Sequence, residues 1–206
     1  MKTRKVLVML AATAVIVLTA CSSGSPAADT SSGTPTNPSA ALPAETLTPD
    51  PGSKTASEGD LKNGTYLIDG QPITLVNGVA ETEAAPGSTA KQVTRYFGNA
   101  INIDLNSDGT MDSAFLLRQE SEGSGTFYFA AAALNTENGW LGTNAIFLGD
   151  RIAPQSTTLD PNNPSQFIVN YADRNAGESM SAQPTLGVSK TFKIENGSLV
   201  EVVASP

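Results

Sequence analysis

The chain has 206 residues, of which 39% are apolar and 16% charged, with 20 Asp and Glu against 12 Lys and Arg, one cysteine and no histidine. The missing histidine excludes Ser-His-Asp and Cys-His catalysis, and with a single cysteine it also excludes a zinc site of the usual kind. A net charge of −8 predicts no nucleic-acid partner, because phosphate binding needs clustered Lys or Arg.

At the N-terminus Lys2, Arg4 and Lys5 precede an apolar run from Val6 to Leu18. That run is shorter than the ~20 residues needed to span a bilayer, so it predicts a secretory signal over residues 1–20. It closes on Leu18-Thr19-Ala20-Cys21, which resembles the lipobox of bacterial lipoproteins. The resemblance implies that the Cys21 thiol receives a diacylglyceryl group, that cleavage occurs before it, and that the new amine takes a fatty acyl chain such as palmitate. Each buried methylene contributes ~0.8 kcal/mol, so two or three chains make attachment effectively permanent. The expectation is a protein held by Cys21 in the cell membrane or outer membrane, its body on the exported side. Ser22 follows the anchor where an aspartate commonly marks inner-membrane retention, so in a host with two membranes the resemblance points to the outer one.

Three basic residues and no acidic ones precede Cys21, leaving the mature chain at −11. Anionic headgroups repel such a body, and the lipid alone must anchor it. No second cysteine remains for a disulfide, so stability must come from a core, or from a core plus a metal.

Residues 22–60 hold six prolines, many Ser, Thr, Gly and Ala, and no aromatic residue. Such a segment buries too little apolar surface to offset its ordering entropy, and residues 21–60 are predicted to be a disordered tether behind the lipid. All twelve aromatic residues lie between Tyr66 and Phe192, which predicts one folded domain over residues 61–206.

Its punctuation is that of β-structure. Tyr66-Leu67-Ile68 runs into Asp69-Gly70, Ile73-Thr74-Leu75-Val76 into Asn77-Gly78, and Thr191-Phe192-Lys193-Ile194 approaches Asn196-Gly197 before Ser198 to Val202. Each Asx-Gly pair predicts a two-residue hairpin turn, because both central positions need positive φ. Ala114 to Leu117 and Phe127 to Leu134 are nearly unbroken apolar runs around Glu122 to Gly125. They predict two interior strands covered on both faces. An alanine-rich helix from Ala130 is the alternative. Val93 to Phe97, Ala145 to Leu148 and Phe167 to Tyr171 complete the predicted strands. The expected fold is all-β, or β-rich α+β: one antiparallel domain of roughly ten short strands, sandwich or barrel-like.

One segment between these strands has the composition of a cation site, Asp104-Leu105-Asn106-Ser107-Asp108-Gly109-Thr110-Met111-Asp112. Alternating oxygens and a glycine for a sharp turn are what calcium needs for its 6–8 oxygen ligands. Asp104, Asn106 and Asp108 would give side-chain oxygens, Thr110 its carbonyl, and Asp112 a further carboxylate, directly or through water. The metal-free alternative is an Asx-rich turn. The segment resembles the calcium loops of FG-GAP-type repeats and, in its first half, those of dockerins and EF-hands. Phe115 stands where an EF-hand has its bidentate Glu, and no second copy exists to build a propeller. The resemblance implies a structural Ca2+ held by these five residues.

Other candidates carry less. Gly123-Ser124-Gly125 lacks a nucleophile elbow and a histidine partner. Asp150-Arg151 and Asp173-Arg174 read as loop ion pairs, Tyr171 to Arg174 as a solvated strand end, and Trp140 as a half-buried core aromatic. The functional expectation is a lipid-anchored envelope protein, not an enzyme, presenting a calcium-stabilised β domain either for binding an envelope polymer or protein or for a structural role in the envelope. The alternatives are a cell-wall polymer hydrolase using carboxylates and an inhibitor of envelope-degrading enzymes.

Overall fold

A computed structural model describes residues 54–121 and 125–203. The signal, Cys21, most of the tether and Ser124 lie outside the described residues. Those described form an all-β domain of twelve strands with one four-residue helix.

Helix α1 (Glu58–Leu61) takes in the last residues of the expected tether. Its start is written in the sequence: the Ser57 hydroxyl accepts from the Asp60 amide, and the Asp60 carboxylate accepts from the Ser57 amide at 3.0 Å. This reciprocal cap satisfies two amides that the helix itself cannot. Hydrogen bonds from Ser57 hold the Asp60 carboxyl below its usual range. Leu61, at the helix end, is buried.

Strands β1 (Thr65–Ile68) and β2 (Gln71–Thr74) form the first hairpin, with Asp69 at φ 50° and Gly70 at φ 76°. Asn77 and Gly78 make a second left-handed turn, yet it joins no long hairpin. After the single Val76–Val79 bridge, β3 (Val79–Glu83) leaves β2 and pairs with β4 (Lys91–Ile103). The reason is a change of layer. Ile73 and Leu75 pack down onto a sheet face, whereas β3 extends that same sheet in its plane.

The large sheet runs β3-β4-β5-β6-β7, with β5 at Asp112–Ser121, β6 at Gly125–Thr136 and β7 at Gly139–Gly142; β8 (Ile146–Asp150) also pairs with β6. A second sheet has the order β12-β11-β10-β9, formed by β9 (Ala153–Asp160), β10 (Asn163–Asp173), β11 (Leu186–Glu195) and β12 (Ser198–Val202). Strand β9 lies against β4 and β12 against β8, so the two sheets close on each other at both seams.

Alternation along β5 and β6 sorts their side chains into two cores. Ala114, Leu116, Ala130 and Ala132 face the second sheet, meeting Phe167, Val169, Tyr171, Phe192 and Leu199. Phe115, Leu117, Phe129, Ala131 and Ala133 face the other way, under Leu61, Tyr66, Ile68, Ile73 and Leu75. The large sheet is therefore the middle of three layers, which explains its unbroken apolar runs. The alanine run is strand, not helix, and its small side chains let both outer layers approach closely.

One residue joins all three layers. Asn144, between β7 and β8, receives the Leu199 amide at 2.8 Å and donates to the Leu199 carbonyl at 2.9 Å. Its backbone neighbours hold β1: the Leu67 amide donates to the Thr143 carbonyl and the Ala145 amide to the Leu67 carbonyl.

Candidate functional site

The Asp104–Asp112 loop connects β4 to β5. Ser107 at φ 61° and Gly109 at φ 86° bend it back on itself. Its side chains serve its own amides. Asp104 accepts from the Asp108 and Gly109 amides at 3.2 and 3.0 Å, and the Asn106 carbonyl oxygen accepts from the Asp108 amide at 3.1 Å. The Asp108 carboxylate accepts from the hydroxyl and amide of Thr110 and from Asn106 Nδ2. These bonds, the Thr110 hydroxyl foremost, hold its carboxyl below the usual range.

Asp112 differs from the expectation. It is fully buried and serves as an anchor: one oxygen accepts from the Leu105 amide at 2.9 Å, the other from the Asn135 amide at 2.8 Å. Burial pushes its carboxyl above the usual range, and the charges of Asp108 and Asp104 add to the effect against those two amides. Among the described residues no three His, Cys, Asp or Glu side chains gather as metal ligands. The structure thus brings Asp104, Asn106, Asp108 and Thr110 into one exposed curl and uses Asp112 to fasten its base. The curl remains a set of oxygen donors suited in chemistry to a hard cation.

The weaker candidates resolve individually. Trp140 packs into the core beneath the β1–β2 hairpin, half-buried as expected, with its indole N–H unpartnered among the described residues. Asp150 and Arg151 form the expected pair at 3.7 Å. Asp173 and Arg174 do not: the guanidinium donates instead to the Ala182 and Arg151 carbonyls at 2.7 and 2.9 Å. Tyr171 is buried, not solvated, and its hydroxyl donates to the Leu148 carbonyl at 3.2 Å.

Sequence reasoning missed a groove on the outer face of the large sheet. The β1–β2 hairpin covers Phe115, Leu117, Ala131 and Ala133 but stops short of the far ends of β5 and β6. There a cavity of about 630 Å³ opens between β2 and the end of β3, with Gln119 and Gln92 at its base and Asp69 and Glu83 at its sides. A recess of about 400 Å³ shares Asp69, Gln92 and Gln119 and continues it onto Phe127, Phe129 and Phe147. Phe147 is 50% exposed. Its ring lies 5.6 Å from that of Phe129 and 6.2 Å from that of Phe127. The signal was faint: Phe127 and Phe129 share a face, and Gln119 interrupts the apolar face that Phe115 and Leu117 begin.

No family model, no curated protein and no solved structure matches this chain.

Proposed function

We propose that the chain is an exported envelope lipoprotein, attached through Cys21, whose β domain is a binding module and not an enzyme. The groove supports this reading most directly. It combines an apolar wall, one phenylalanine left half in water and several polar side chains, the usual make-up of a ligand site. Its size falls within the ~300–1,000 Å³ of such sites. The lipobox supports the location. Fractionation of cells tests it: the wild-type chain should enter the detergent phase with the mass of a lipidated form, and Cys21→Ser should not. Equal partitioning and mass would overturn the lipoprotein reading.

We further infer that the Asp104–Asp112 curl takes Ca2+ in a structural role. Asp104, Asn106, Asp108 and Thr110 supply the oxygens, and Asp112 holds the loop closed behind them. Two carboxylates in so short a turn repel each other by about 1 kcal/mol at ~4 Å even in water, and a divalent ion removes that cost. Chelation should lower the melting temperature, calcium should restore it, and Asp108→Ala should abolish the response. A melting curve indifferent to chelator and calcium would leave a metal-free turn.

A further inference from the structure

We propose that the groove binds an extended basic peptide, seating a Lys or Arg side chain against the phenylalanine cluster; this deepens the binding-module reading and rests on it. Three features point to that occupant. The recess is walled by Phe127, Phe129 and Phe147 and carries one carboxylate, Asp69, which has no ion pair among the described residues. An organic cation over an aromatic face, beside a carboxylate, satisfies both groups at once. Among the described residues no basic side chain lines either part of the groove, and Glu83, one of whose oxygens accepts from the Gly87 amide at 2.9 Å, adds a second carboxylate along its length.

Besides Thr82, the remaining polar side chains are those of Gln71, Gln92 and Gln119. A primary amide offers a donor and an acceptor side by side, the same pair that a peptide unit presents, so these side chains suit an extended backbone. The Gln119 amide nitrogen is already oriented, donating to Thr94 Oγ1 at 3.1 Å from a nearly buried position. The cation enters from solvent, because Phe147 stands half exposed at the recess. A chain of −11 after Cys21 also draws basic partners over distance, whereas the groove sets which cation is held.

Calorimetric titration of the full chain in detergent tests this, with the acetylated, amidated hexapeptide Ala-Lys-Ala-Lys-Ala-Lys as probe. Binding is expected, about tenfold or more tighter than for the same peptide with glutamine in place of lysine. Phe147→Ala should weaken it by roughly 2- to 30-fold, the range that an aromatic–cation contact of ~0.5–2 kcal/mol implies, and Asp69→Asn should weaken it several-fold through loss of the carboxylate's charge. Glu137→Gln, a loss of one charge in the exposed β6–β7 turn, should leave it unchanged. Phe147→Tyr should retain most of it, which separates the contact from a folding defect. Equal weakening by Glu137→Gln and Asp69→Asn would reduce the interaction to net charge and overturn the site. Tighter binding of a chitin oligosaccharide than of the lysine peptide would make it a glycan groove and also overturn it. Neither result bears on attachment, which the Cys21 fractionation reads independently.

Discussion

At the scale of single residues, the domain depends on a few side chains whose polar atoms sit where water does not reach. Asp112 is the clearest case, since it satisfies the amides of Leu105 and Asn135 from two different chain segments. Asp112→Ala leaves both without an acceptor, one of them beside a buried leucine. Each such loss costs ~1–3 kcal/mol, so urea unfolding should show a deficit of about 2–6 kcal/mol in the absence of calcium. A loss below 0.5 kcal/mol, on the order of a surface change, would mean that the carboxylate is not the anchor. Tyr171 offers a pH-dependent test. Burial pushes its phenol up to about 12, and the nearby Asp173 and Glu201 charges add to the shift. An unfolded tyrosine ionises near 10, so between about pH 10 and 12 the folded state retains a proton that the unfolded state loses. Stability from this group is full below pH 10 and disappears as pH rises to 12. Tyr171→Phe should cost about 1 kcal/mol at neutral pH for the lost bond to Leu148 and should make the alkaline decline shallower. An unchanged alkaline limb would count against it.

Among the elements, the turns and the approach of β1 to β7 carry most of the backbone constraint. Gly197, at φ 75° in the β11–β12 turn, has open space around it, whereas Gly187 is equally open without a left-handed backbone. Gly197→Ala should therefore destabilise by ~1 kcal/mol through backbone strain alone, and Gly187→Ala should be close to neutral. Gly142 is limited by space. A Cβ there would collide with the Thr65 carbonyl oxygen and the Tyr66 ring, so Gly142→Ala must push β1 away from β7. A melting temperature lowered further than in the Gly197 variant is the expected result; equal or smaller loss would mean that the hairpin layer gives way cheaply.

These same elements show what the sequence made legible. The left-handed Asx-Gly turns and the doubly buried β5 and β6 could be read directly, because turn chemistry and unbroken apolar runs are local signals. Strand β9 could not: Ala153–Asp160 is mostly polar and buries Thr157 more fully than Leu159, which is 53% exposed. The partner of β3 was equally hidden, since Asn77-Gly78 fixes a reversal but not which layer the next strand joins. At the candidate sites, the curl of Asp104 to Thr110 was legible from its spacing. The anchoring role of Asp112 depends on Asn135, 23 residues away, and the groove on where a hairpin happens to stop.

For the molecule as a whole, three layers share one sheet. The cores on the two faces of the large sheet use alternate residues of β5 and β6, so neither outer layer can leave without stripping a face of the sheet that supports the other. Trp140, the chain's single tryptophan, stands on β7 and packs into the core beneath the β1–β2 hairpin, which makes its fluorescence a reporter for that face of the large sheet. Its unfolding curve in urea should coincide with the circular-dichroism curve of the whole domain, in a single cooperative transition. An earlier tryptophan transition would show that the hairpin layer peels off independently.

The Asn144 junction bears on the order of events during synthesis. It ties residues 67, 144 and 199 together, so two of its partners are already made while the third is still to come. Until Leu199 arrives the second sheet has no closing contact at that seam, and contacts over such separations form slowly. A chain that closes late stays a pliable thread for longer. That delay suits a polypeptide which, on the export proposal, has to pass through a membrane channel before it folds.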